Sequence, residues 1–267
     1  MKTPSDPNAR TRVRLAFLLL FVFTIAGAVG AYYIVDRGRR QDLVAAREGQ
    51  AALQGIADVG QIDEALRLRP QNKFLRMMAM ATKAADEANA SIDKLSDEIE
   101  PPAISKAGNL GTANRGDLEA LRRDLKVAET NATTFMPRYV AALKAERDNV
   151  EKYVAPLYLE RDAGKRLLDN IDKRHAEITA LTSRMLSARA DYYRAYQNYL
   201  AILVGEFGSY KIVNGQFMFP LQRTADRYNV AAQALNVAAK SVGDLNEERK
   251  RLLQSQQERW QRFVRGE

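Results

Sequence analysis

The side chains able to do chemistry are few, and their spacing does not bring them together. His175 is the single histidine, set in the charged run Asp172-Lys173-Arg174-His175-Ala176-Glu177. Two-histidine metal sites and histidine-based triads need partners that the sequence lacks. Cysteine is absent, which removes disulfides, thiolate metal sites and thiol nucleophiles. Gly108, Gly111 and Gly116 do not form a phosphate-binding loop, since no Lys-Ser or Lys-Thr pair follows them and no strand precedes them. Catalysis by carboxylates alone would need Asp or Glu pairs held in a pocket, whereas the acidic residues scatter along charged helical faces. The inventory predicts a protein that is not an enzyme and uses no cofactor or metal, with His175 on the surface outside any apolar seam.

Two further clusters could make contacts rather than reactions. Tyr192, Tyr196 and Tyr199 recur at i, i+4 and i+7 and share one helical face beside Tyr193, which favours core packing over a ligand site. Residues 247–267 carry Arg249, Lys250, Arg251, Arg259, Arg262 and Arg265, interspersed with Leu252, Leu253, Trp260, Phe263 and Val264. That pattern fits an interfacial amphipathic helix on anionic lipid, and it fits equally the end of a coiled coil with ordinary flanking charges. Nucleic acid is disfavoured as a partner because four glutamates dilute the basic patch.

The elements that must carry these residues are helical. The 267 residues include only 15 Gly and 8 Pro, with 46% hydrophobic and 28% charged residues, the composition of long helices with wide wet faces. A net charge of +8 favours acidic partners, but 41 basic and 33 acidic residues are interleaved, as on a solvated helical surface.

Residues 15–35 form a run of 21 without a charge, and at 1.5 Å per residue that length crosses a hydrocarbon layer of roughly 30 Å. Tyr32 and Tyr33 suit the interfacial aromatic belt. A cleaved signal peptide is the rival, with Arg10, Arg12 and Arg14 as its basic region and Ala26-Gly27-Ala28 as its cleavage site. The uncleaved anchor is favoured because the apolar run continues past that site. Basic residues before the span exceed those after it once Asp36 and Asp42 are counted, so the N-terminus leans cytoplasmic and the body periplasmic. Ala26 and Gly30, and Gly27 and Ala31, offer small-residue pairs through which two spans could approach.

Beyond the anchor, a short helical piece lies between Gly60 and Pro70, and a second helix runs from Pro70 to about Glu100, stopping at Pro101-Pro102. Helix resumes at Asp117, an N-cap candidate, with Pro137 and Pro156 as kinks or breaks. Ile171, Ile178, Met185, Tyr192 and Tyr199 then recur by sevens, with Leu181, Ala188, Ala195 and Ile202 between them. Leu221, Tyr228, Leu235 and Val242 repeat the pattern, alternating with Ala225, Ala232 and Ala239. These are heptad seams, and an antiparallel pair of helices is their simplest arrangement. Between them, Asn214-Gly215 is the preferred two-residue hairpin turn, flanked by the β-forming Tyr210 to Val213 and Gln216 to Phe219. Phe207, Tyr210, Ile212, Val213, Phe217, Met218 and Phe219 are more apolar groups than a two-stranded ribbon buries alone. They either cap the bundle or contact a partner or a second membrane.

The segment Ile212-Val213-Asn214-Gly215-Gln216-Phe217-Met218-Phe219-Pro220, followed by Ala225-Asp226-Arg227-Tyr228-Asn229, resembles the C-terminal part of the uncharacterised YiaF-like family of bacterial envelope proteins. The resemblance covers about a fifth of the chain. It implies an envelope location and a helical body ending in an Asn-Gly turn, and it implies no activity. The sequence departs from the family in having no lipidated Cys and an apparent transmembrane anchor instead.

The expected organisation is a cytoplasmic tail (1–12), a transmembrane anchor (13–35), a helical stalk (36–100), a linker (101–116) and a helical bundle (117–267) with a β-hairpin at 206–219. The fold class is all-α, an elongated bundle or antiparallel coiled coil with the hairpin at one tip. The expected function is a non-catalytic scaffold or interaction protein in the bacterial inner membrane, with a lipid-binding or membrane-shaping module as the alternative and a sensory bundle third. Expected partners are the membrane, a second copy or an envelope protein, and anionic lipid. Candidate contacts are Phe207, Tyr210, Phe217, Phe219, Arg249, Arg251, Arg259, Trp260, Arg262 and Phe263.

Overall fold

The computed structural model describes residues 61–99, 110–155 and 161–265. The expected anchor at 13–35, the kink at Pro156 and most of the 101–116 linker lie outside the described residues. Among the described residues no helix is long and apolar enough to cross a membrane.

The described chain is all-α apart from one hairpin. Its helices are α1 (Ile62–Leu68), α2 (Lys73–Ile99), α3 (Arg115–Val154), α4 (Arg161–Gly205) and α5 (Gln222–Arg265), with a 3₁₀ turn at Leu110–Thr112. Strands β1 (Lys211–Val213) and β2 (Gln216–Met218) sit between α4 and α5. The helix starts are set by local chemistry. Asn72 Oδ1 accepts the Leu75 backbone N–H at 3.0 Å and opens α2, so the helix begins three residues after Pro70. At α3 the cap is Asn114, not Asp117. Asn114 Oδ1 accepts the Asp117 N–H at 2.9 Å while Asp117 Oδ2 accepts the Asn114 N–H at 3.1 Å, a reciprocal box in which Asp117 is the third helical residue. Asn114→Ala is expected to cost about 1 kcal/mol, read as a lower urea midpoint at unchanged slope. Pro137 does not end α3, which runs on from Arg115 to Val154.

The chain divides into two compact units, each assembled from separate stretches of the same long helices. One holds the described parts of Met1–Asp93, Tyr139–Ala180 and Arg249–Glu267. Its core takes Ile62 from α1, Leu75, Met77, Met78 and the small Ala81, Ala84, Ala85 and Ala88 from α2, Tyr139, Leu143 and Val150 from α3, and Ile171 and Ile178 from α4. Alanines on α2 let neighbouring backbones come close, since no long side chain holds them apart. On its surface Arg147 bonds Asp172 and Glu151, Glu87 accepts from Asn149 at 3.1 Å, and the Lys83 ammonium lies over the Tyr153 ring.

His175 departs from expectation here. It is buried, and its Nε2 lies 3.0 Å from Oε2 of Glu146, a carboxylate that is 1% exposed. Glu146 likewise breaks the expectation that acidic residues lie on wet faces. The reason is positional: Glu146 follows Leu143 by three residues and precedes Val150 by four, and His175 follows Ile171 by four and precedes Ile178 by three. Each sits on its helix's apolar line, so burying that line buries the polar group with it. Burial raises the Glu146 carboxyl above the usual range, opposed in part by the hydrogen bond from His175.

The second unit is Lys94–Arg138 with Leu181–Glu248. Here α4 and α5 run antiparallel, since Arg184 pairs with Glu248 and Tyr199 with Tyr228. The two-helix expectation is too narrow, because α4 buries two lines of residues. One is the seam of sevens, in which Leu181, Ala188 and Tyr199 are buried. The other, Leu186, Tyr193 and Leu200, is also spaced by sevens and faces neighbours on α2 and α3. Tyr193 Oη donates to the Ile99 carbonyl at 2.7 Å, and Arg194 and Gln197 both donate to Glu129, each at 3.0 Å. The α5 seam is shallower: Tyr228, Leu235 and Val242 are half-buried, while Leu221 and Ala239 fall outside it and are exposed.

Candidate interaction surface

The hairpin follows from three local requirements. Gly205 ends α4, and the chain turns through Gly208, whose φ of 87° lies where side chains are disfavoured. Asn214 (φ 52°) and Gly215 (φ 78°) then supply the two positive-φ positions that a tight turn needs to match the strand twist. This fixes the register as Lys211 opposite Met218, Ile212 opposite Phe217 and Val213 opposite Gln216.

Because side chains alternate along a strand, that register sorts the hairpin into two faces. Tyr210, Ile212, Phe217 and Phe219 share one; Lys211, Val213, Gln216 and Met218 share the other. On the first face the Tyr210 ring meets Phe217 and Phe219 at 5.1 and 5.7 Å between centroids, and both phenylalanines meet Tyr228 of α5 at 5.8 and 5.0 Å. Such tilted and edge-on pairs each add about 0.5–1.5 kcal/mol beyond area burial. Tyr228 in turn stacks at 5.2 Å on Tyr199 of α4, whose hydroxyl lies 2.8 Å from its own. The contact chain continues along α4 through Tyr196 and Tyr192. Thr224 Oγ1 donates to Glu206 Oε1 at 3.3 Å and ties the start of α5 to the end of α4.

Burial raises the phenols of this cluster. Tyr196 is pushed up to about 12, and Tyr199 is raised by burial together with its bond to Tyr228. They stay protonated at neutral pH. Among the described residues no group of three His, Asp or Glu could hold a metal ion.

The candidate contacts therefore separate. Tyr210, Phe217 and Phe219 are half-buried and turn toward Tyr228, which is the capping role. Phe207 is exposed and touches Tyr210 at 6.1 Å. The most exposed apolar groups of the strands are Val213 and Met218 on the outward face, at 50% and 54%, with Ile212 beside them at 42%. Arg249 is buried and so is not a surface contact, whereas Arg251 is exposed. The side chains of Arg259, Trp260, Arg262 and Phe263 lie outside the described residues.

Fold and site together define a helical-bundle protein bearing an aromatic-anchored hairpin whose outer face exposes Val213 and Met218 beside Lys211 and Gln216. Compared with protein-family models, curated proteins and solved structures, the chain has no match in any of the three.

Proposed function

We propose that the chain is a membrane-anchored, non-catalytic scaffold of the bacterial envelope, and that the outward face of its hairpin is where it binds. The observation that carries the reading is the division of labour in the hairpin. Phe217 and Phe219, with Tyr210 packed against them, fix it to Tyr228, while Val213 and Met218 on the outward face, and Ile212 at the edge of the other, are left exposed. Apolar side chains held in place and facing water are more costly than polar ones would be, which is the signature of a contact surface. The 21-residue uncharged run at 15–35 supports attachment to a membrane, and the resemblance to the YiaF-like family supports the envelope.

The binding face is tested with a photo-crosslinking residue at Gln216, which is exposed on that face, in cells carrying the full chain. The expected result is a discrete crosslinked product that disappears when Ile212, Val213 and Met218 are all replaced by Ser. The same triple variant should keep its unfolding temperature within about 3 °C, because exposed positions contribute little to stability. Crosslinking that persists in the triple variant would remove the hairpin as the binding face. A phosphatase fusion after Glu267 that is inactive while a cytosolic reporter fluoresces would overturn the periplasmic placement.

A further inference from the structure

The pairing of Glu146 with His175 is not used by the proposed function, and it stands between two helices in an apolar setting. Leu143 and Val150 flank Glu146 on α3, and Ile171 and Ile178 flank His175 on α4, all buried. A buried carboxylate and imidazole in 3.0 Å contact can carry one proton as a pair and remain neutral together. Without that proton the seam contains an unpaired carboxylate, which costs several kcal/mol when nothing compensates it.

We propose that the Glu146–His175 pair is a proton-operated clamp between α3 and α4: one shared proton keeps the seam closed, and its loss strands a carboxylate and opens the seam locally. The sign follows from the carboxyl. Its raised folded-state value means the stabilisation is complete below the ordinary value of 4.5 and is lost as pH rises through the raised one. Of the surrounding acidic groups, Asp86 shifts the same way. Arg147 is tied to Asp172 and Glu151 on the α3–α4 surface, and Arg249 on α5 keeps its charge at all accessible pH. On α2, Glu87 is exposed and bonded to Asn149. Asp86, raised by burial and then by Asp63, shifts in the same direction and is the group to control for.

The experiment uses the full chain in mild detergent and follows thermal unfolding as a function of pH. As pH rises above the carboxyl's ordinary 4.5 the unfolding temperature is expected to fall by roughly 5 °C, and Glu146→Gln should flatten that loss while Asp86→Asn leaves most of it in place. An equal loss with rising pH in wild type and Glu146→Gln would overturn the clamp. Should the variant fail to fold, hydrogen exchange of wild-type residues 143–150 and 171–178 decides. Protection, corrected for intrinsic rates, is expected to drop about tenfold over the same range if opening is governed by the pair, and constant protection refutes it.

Discussion

Tyr228→Ala is expected to destabilise the protein by about 3 kcal/mol and to release the hairpin. One ring makes three aromatic contacts, with Tyr199, Phe217 and Phe219, and its hydroxyl bonds that of Tyr199. Truncating a buried aromatic to alanine costs about 3–5 kcal/mol, and the half-buried position of Tyr228 places the effect at the lower end. In a chain of this size the unfolding temperature should fall by roughly 6–12 °C. Tyr228→Phe separates ring from hydroxyl. It keeps the stacking and leaves the buried Tyr199 hydroxyl without that bond, a cost of about 1–2 kcal/mol. Hydrogen exchange across residues 210–219 checks the structural half of the claim: protection of the strand amides should vanish in the alanine variant and survive in the phenylalanine one. If both variants leave the hairpin protected, Tyr228 is not its anchor.

Glu129 carries the second large effect, with an opposite pH sense to Glu146. The carboxylate is 7% exposed and accepts from Lys126, Arg194 and Gln197, all at 3.0 Å. Burial alone would raise it, but the hydrogen bonds from Gln197, Lys126 and Arg194 together hold it below the usual carboxylate range. A lowered folded-state value means the stabilisation is present above the ordinary 4.5 and is lost as pH falls through the lowered one. Glu129→Ala should cost about 2 kcal/mol at neutral pH, discounted because the Arg194 and Lys126 donors can turn to solvent. Glu129→Gln should lose part of the acid sensitivity that wild type shows below about pH 5, as followed by circular dichroism during thermal unfolding. Identical acid profiles for the two proteins would show that Glu129 is not the responsible group.

Where a feature depends on neighbouring residues alone, it could be read in the sequence. The Asn214-Gly215 turn is such a case, since positive φ at two successive positions is a property of the dipeptide. The seam of sevens on α4 is another, because one apolar line needs only the helical period. The α3 cap was misplaced by three residues because Asn114 and Asp117 both suit a cap, and the reciprocal bonds decide between them. The inward and outward hairpin residues could be listed as two alternating sets. Which set packs depends on the position of Tyr228, eight residues beyond Pro220.

The buried polar groups show the opposite case. Charge at His175, Glu146 and Glu129 suggested surface, because an isolated charge is almost never buried. Burial becomes affordable only when a partner arrives from another helix, and no spacing within one helix announces that partner. The second buried line of α4, Leu186, Tyr193 and Leu200, also depends on partners from other helices, since a two-helix pair needs only one apolar seam. The sequence by itself determined that the chain is helical, where its hairpin turns and which line of α4 is apolar, since each rests on local backbone and period. Which helices meet is settled by packing between them, hence that Glu146 meets His175, that Glu129 gains Arg194 and Gln197 beside its own-helix Lys126, and that Val213 and Met218 are left facing water.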